Sequence, residues 1–175
     1  MVWTIEVADV SYCPLCGGSL SVRVTHDGDR PYCDTCNLTL YQNPIPIARA
    51  TVVDGDSLLL IEIGDGRDEG EWALPGGHGK PNEPPSVTAA RELEEETGLS
   101  VEPDALTLMG DGFLAFDNGE SMVSFNYAVP MEEAEGVIKN SRRRDGRSVL
   151  DARGDSNANV AAPCIWTFTT SSDDR

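Results

Sequence analysis

Apolar and polar positions change period several times along this chain, and each change marks an element. Residues 19–24 (SLSVRV) alternate as a strand, and residues 26–29 (HDGD) carry a turn signal. Residues 47–53 (IARATVV) are apolar enough for a buried strand. Residues 54–57 (DGDS) then form a hairpin turn, and 58–63 (LLLIEI) are the returning strand. Residues 65–70 are a polar loop, and 72–77 (WALPGG) read as a short buried strand breaking into a glycine turn. The period then becomes helical. Val87, Ala90, Leu93 and Thr97 make one apolar stripe, with Asn82 as a cap, Pro84 and Pro85 in a first turn, and Gly98 just past the end. Residues 122–129 (MVSFNYAV) alternate again as a strand. Strands on both sides of an amphipathic helix predict an α/β fold around a mixed sheet.

The face of that helix opposite the stripe carries the candidate chemistry. Glu92, Glu95 and Glu96 sit at i, i+3 and i+4, which fall together at ~100° per residue. Like charges at this spacing cost a few tenths of a kcal/mol per pair. A helix that gathers three carboxylates suits a hard divalent cation, Mg2+ or Mn2+, which takes oxygen ligands and keeps positions for water and phosphate. A glutamate-rich surface helix is the bland alternative, but it explains neither the glycines ahead of it nor the spacing.

That spacing is specific. Residues 77–99 read GHGKPNEPPSVTAARELEEETGL. Gly77, Glu83, Arg91, Glu92, Leu93, Glu95, Glu96, Gly98 and Leu99 fill nine defined positions over 23 residues. The pattern resembles the Nudix box. The resemblance implies an α/β/α sandwich and a hydrolase of pyrophosphate bonds, acting on a nucleoside diphosphate linked to another group. It implies that Glu92, Glu95 and Glu96 hold Mg2+ with the backbone carbonyl of Gly77, and that Arg91 and Glu83 form an orienting pair. One of these carboxylates, or one from a later loop such as Glu120, would deprotonate the attacking water. Arg49 sits where the family's first domain strand enters the cleft, which makes it a candidate phosphate contact; a salt-bridged surface arginine is the alternative.

A second constellation lies near the start of the chain. Cys13, Cys16, Cys33 and Cys36 form two Cys-x-x-Cys pairs with sixteen residues between them. Four thiolates in paired knuckles suit tetrahedral Zn2+ in a zinc ribbon. Gly17 and Asn37 follow the knuckles and tolerate a left-handed backbone. Two disulfides or a redox dithiol are the alternatives, and disulfides need an oxidising compartment. Four ligands close the shell, so such a metal is structural and folds a segment too small to hold itself together. His26 reads as a turn residue and Cys164 as a small hydrophobe.

Residues 41–47 (YQNPIPI) make an extended join. The predicted organisation is therefore a zinc ribbon over 1–41 and a Nudix domain over 45–175. This order resembles the zinc-ribbon Nudix group, which includes NADH pyrophosphatases. Those carry a Ser-Gln-Pro-Trp-Pro-Phe-Pro-like array after the box, and residues 101–130 hold none. ADP-ribose or another nucleoside diphosphate derivative is thus at least as good a candidate as NADH. The end of the chain departs further. Residues 141–147 (SRRRDGR) and 151–159 (DARGDSNAN) lack helical periodicity, and after a short apolar run at 165–168 no final helix follows. Residues 140–175 are thus expected to be an atypical ending, truncated, altered or partly disordered.

Charge narrows the partners. Thirty acidic residues face thirteen basic ones, for a net charge of −17, and only two of the basic residues are lysines. Lysine poverty with abundant aspartate resembles a protein of a high-salt cytoplasm, where salt screens self-repulsion; an ordinary acidic protein is the alternative. Such a surface repels a nucleic-acid backbone. No apolar run reaches the ~18 residues of a membrane helix and no targeting sequence is visible, which predicts a soluble, cytoplasmic protein without a membrane partner. The resemblance allows a homodimer. A binding protein that uses the same fold to sense a small-molecule nucleotide is the alternative to an enzyme.

Overall fold

A computed structural model describes residues 2–5, 10–55, 57–64, 69–138 and 148–151. The first strands, β1 (Val2–Ile5), β2 (Ser21–Thr25), β3 (Gly28–Cys33) and β4 (Leu38–Gln42), form one sheet in the order β1-β4-β3-β2. The chain passes directly from β4 into β5 (Ile45–Asp54). There follow β6 (Ser57–Glu62), β7 (Trp72–Ala73), β8 (Gly76–His78), α1 (Pro85–Thr97), β9 (Leu99–Ser100), β10 (Thr107–Ala115), β11 (Ser121–Pro130), β12 (Glu135–Gly136) and β13 (Ser148–Asp151). The main sheet has seven strands. Its path is β10-β11-β5-β6-β13, with β7 on β6 and β8 on β5. β11 and β5 run parallel and the other pairs antiparallel, so the sheet is mixed. No helix among the described residues is long and apolar enough to cross a membrane.

The α/β fold with a mixed sheet expected from the sequence is present, and its core explains where the site stands. Ala48, Ala50 and Val52 alternate along β5 and share a face with Tyr127 and Val129 of β11. Ala89, Ala90 and Leu93 of α1 pack on that face. The small alanines let the helix approach the sheet closely, which fixes the position of its glutamates. Leu93 is fully buried. Leu93→Ala is expected to cost about 2–5 kcal/mol, transfer plus cavity, and to lower the melting temperature by roughly 4–20 °C; a thermal melt by circular dichroism checks it. Among the described residues α1 is the single α-helix, on one side of the sheet. The expected second helical layer is not found among the described residues, and most of the 140–175 ending, with Cys164, lies outside them.

Three expectations need correction. Asn82 does not cap α1. The N-cap is Pro84, without a side-chain bond, and Asn82 takes a left-handed turn at φ 64°. Val87 is not on the buried stripe; it is exposed, and Thr88 and Ala89 are buried instead. Glu96 is not outward-facing. It is buried, because a position three residues past Leu93 on a 3.6-residue helix stays at the core's edge. The C-terminal end is as expected: Gly98 adopts φ 82° and donates its N–H to the Glu94 carbonyl.

Candidate functional site

An open cavity of about 620 Å³ lies where β5, the β7–β8 turn and α1 meet. Its wall carries Ile47 and Arg49 of β5, Met122 of β11, Gly76 to Pro81, and Arg91, Glu92 and Glu95 of α1. Two of the three helix glutamates therefore reach one cavity. Glu96 does not line it: its Oε2 accepts the Gly76 N–H at 3.0 Å, tying the helix to the glycine turn. Gly77 pairs with Ala48 in the sheet. A Cβ on Gly77 would fall 2.6 Å from the Glu92 carboxylate, so only glycine brings the backbone that close.

Arg91 organises the acidic face. Its Nε donates to Glu83 Oε1 at 2.9 Å and its Nη2 to Glu83 Oε2 at 3.0 Å. Its Nη1 donates to Glu92 Oε1 at 2.7 Å and Glu95 Oε2 at 3.2 Å, and Nη2 also reaches the His78 carbonyl at 3.1 Å. A planar guanidinium suits this fork, which a lysine ammonium could not fill. Thr88 Oγ1 and the Lys80 N–H complete the shell around Glu83. Lys80 Nζ lies 3.8 Å from Glu95 Oε1.

The Arg91 hydrogen bonds draw the Glu83 carboxyl down to about 2 from 4.5, against some desolvation and with help from Thr88 and the Lys80 N–H. The Glu83 bonds, partly opposed by burial and aided by Glu92, hold Arg91 still more firmly charged. The folded pKa of Glu83 lies below its unfolded value. The pair's stabilisation is thus full above about pH 4.5 and is lost as pH falls toward 2. Glu83→Gln is expected to flatten this part of the acid-unfolding profile and to bring the two proteins closer together at pH 2 than at pH 6. Melts across that range check it.

The four cysteines converge as a separate cluster. Their Sγ atoms all lie within 4.8 Å of one another, and Cys16 and Cys33 are 3.7 Å apart. Four sulfurs around tetrahedral zinc at ~2.3 Å stand ~3.8 Å apart, whereas a disulfide needs ~2.05 Å. The spacing fits the metal, and all four thiols are free. Gly17 and Asn37 take φ 70° and 50°, as the knuckles require. Burial opposes ionisation of Cys13, but the backbone N–H groups of Cys16 and Leu15 and the neighbouring thiols outweigh it and draw the group down to about 7. Cys36 is pushed up to about 12, by the Cys16 side chain first and by burial second. His26 stands away from the cluster, its side chain 93% exposed.

Glu120 is not brought to the cavity; it bonds Asn118 within its own turn. Sequence reasoning missed Thr88, Lys80 and the His78 carbonyl, whose partners are set by the tight turn before α1. It also missed strand β10, where Gly110, Gly112 and a bulge after Leu108 blur the alternation.

The model of the family described as NUDIX domain matches residues 44–153. Human 8-oxo-dGDP phosphatase NUDT18 is 31% identical over 97 residues, 55% of this chain and 28% of that protein. A MutT-like protein of Streptomyces ambofaciens is 41% identical over 63 residues, 36% of this chain and 39% of that one. The chain thus spans between about a quarter and two fifths of the length of these curated relatives. The crystal structure of a MutT NUDIX hydrolase from Burkholderia pseudomallei superposes with a TM-score of 0.56 at 27% identity, over 63% of this chain and 83% of that one. With the family model covering well over half of its residues, the chain belongs to the NUDIX domain family.

Proposed function

We propose that this protein is a Mg2+- or Mn2+-dependent pyrophosphohydrolase that cleaves a nucleoside diphosphate linked to another group. The observation that carries the reading is the convergence of Glu92, Glu95 and the Gly77 backbone on one open cavity. The donors are all oxygen, which fits a hard cation. Glu92, Glu95 and the Gly77 carbonyl would hold it, with Glu96, buried beside the glycine turn, as the third helix carboxylate. When bound, such an ion neutralises phosphate charge and lowers the pKa of its water. Arg91 keeps Glu92 and Glu95 in place through its grip on Glu83. Arg49 and Lys80 stand on the cavity wall, where they would meet substrate phosphates. A base drawn from the cavity carboxylates takes the proton of the attacking water.

The four-cysteine cluster is proposed as a structural zinc site, giving a zinc ribbon over 1–41 ahead of a Nudix domain over 45–175. The acidic, lysine-poor surface is proposed as an adaptation to high salt. The family relation supports pyrophosphate substrates. The human relative's name adds 8-oxo-dGDP to the ADP-ribose and NADH suggested by the sequence. Incubation at high KCl with Mg2+ or Mn2+ and each of these compounds, products identified by mass, tests the reading. Release of a mononucleotide is expected. Intact substrates after hours with a folded protein would overturn it, and nucleotide binding without release would favour a sensor.

A further inference from the structure

Two polar side chains inside β11 have no part in the site described above. Ser124 and Asn126 are 3% and 4% exposed, on the sheet face opposite the α1 core. Asn126 stands beside Arg49 across the parallel ladder and Ser124 beside Ile47, so both share the face whose Ile47 and Arg49 line the cavity. The Asn126 Nδ2 group donates to Ser124 Oγ at 3.2 Å. Its Oδ1 is buried without a hydrogen-bond partner. A buried amide oxygen left without a donor destabilises the folded protein, and buried polar groups in native structures are as a rule hydrogen-bonded, so this exception calls for a reason.

The neighbouring strand is shaped around this pair. Gly112 lies opposite Ser124, and a Cβ there would fall 2.7 Å from Ser124 Oγ. Glycine at that position is what lets the hydroxyl hold the amide. Gly110 lies opposite Asn126, and a Cβ built on it meets nothing within 4 Å. On the other side, the ladder neighbours of Asn126 and Ser124 are Arg49 and Ile47, which line the cavity wall.

Building on the hydrolase reading, we propose that Asn126 is the residue that selects the nucleobase of the substrate, its Oδ1 accepting an N–H donor of the base while Ser124 fixes the amide. Uncompensated buried polar groups discriminate strongly: a site built to bond a group rejects the analogue lacking it. Guanine and 8-oxoguanine offer ring and exocyclic N–H donors, adenine an exocyclic amine, and uracil a single ring N–H. The oxygen is closed to solvent before substrate arrives, so a base reaches it only with a side-chain shift. Arg49, its ladder neighbour, lines the cavity wall.

The test uses two readouts on the full chain: kcat/KM for guanine, 8-oxoguanine, adenine and uracil nucleoside diphosphate derivatives, and metal-free calorimetric binding of GMP, AMP, UMP and base-free ribose 5-phosphate. Asn126→Leu removes the acceptor at nearly constant size, and Asn126→Asp keeps it. Asn126→Leu is expected to weaken the preferred base about 10- to 100-fold, to level the ranking of bases, and to leave ribose 5-phosphate unchanged; Asn126→Asp restores part of the ranking. Should the leucine variant fail to fold, Ser124→Ala reads the same claim, with base discrimination expected to fall. An unchanged ranking in a folded Asn126→Leu protein that still hydrolyses its substrate overturns the proposal and leaves the hydrolase reading intact. Base-selective binding that Asn126→Leu abolishes, in a chain that hydrolyses nothing, supports the proposal and overturns the hydrolase reading.

Discussion

Replacing Glu95 by glutamine is expected to remove almost all pyrophosphate hydrolysis while the domain stays folded. Glu95 lines the cavity and its side chain is about half exposed (48%), so it is accessible to an ion and to substrate. Glutamine keeps the size and loses the charge that a hard cation needs. A loss of several kcal/mol of transition-state stabilisation corresponds to roughly a 100- to 1000-fold fall in kcat. Stability should change little. The Arg91 and Lys80 contacts of Glu95 are at the surface, where such pairs contribute about 0–1 kcal/mol, and removing one charge also relieves repulsion from Glu92. Steady-state rates set beside a thermal melt separate the two effects. A variant that keeps most of its activity would contradict the metal assignment.

Stripping the cysteine cluster is expected to unfold the first sheet and spare the second. The hydrophobic core of that sheet consists of Cys13, Cys33, Leu38 and Leu40, with Val10 and Leu20 against it. Two leucines and two buried thiols cannot hold a segment of this size without a staple. Structural zinc supplies an apparent ~10–16 kcal/mol in small cysteine-rich modules near pH 7. Cys33→Ser, or a strong chelator, should therefore abolish hydrogen-exchange protection over β2 to β4, while α1 and the seven-stranded sheet remain protected. Metal analysis of the untreated protein should find about one zinc ion per chain. Because Cys36 holds its proton up to about 12 in the metal-free cluster, zinc uptake must release protons, and affinity should fall as pH is lowered. Unchanged protection over β2 to β4 after complete zinc removal would refute the structural role.

Much of this arrangement follows from local chemistry that a sequence displays. The spacing from Gly77 to Leu99 located the helix, its glycine turn and its C-cap, because caps, prolines and 3.6-residue periodicity act over a few residues. The knuckle positions Gly17 and Asn37 were readable for the same reason. What escaped depends on tertiary packing. Glu96 turns inward because the Gly76 N–H waits there, twenty residues away in sequence. Ser124 and Asn126 look like the solvent face of an alternating strand, yet both are buried, which the alternation alone does not show. β10 was invisible because its alternation is broken by glycines and its exposed Leu108, Met109 and Phe113 point where polar residues are expected. Gln42, the last residue of β4, donates to the Gly119 carbonyl of the β10–β11 turn at 2.9 Å, a contact no local pattern could show.

The most direct test of the central claim is the rate of mononucleotide release from a nucleoside diphosphate derivative as Mg2+ is titrated into metal-free protein with its zinc site filled, followed by mass at high KCl. The account predicts no release without Mg2+, a rate that rises to saturation with it, and near-complete loss of that rate in Glu95→Gln. Release that is independent of Mg2+, or nucleotide bound for hours at saturating Mg2+ without cleavage, would contradict it.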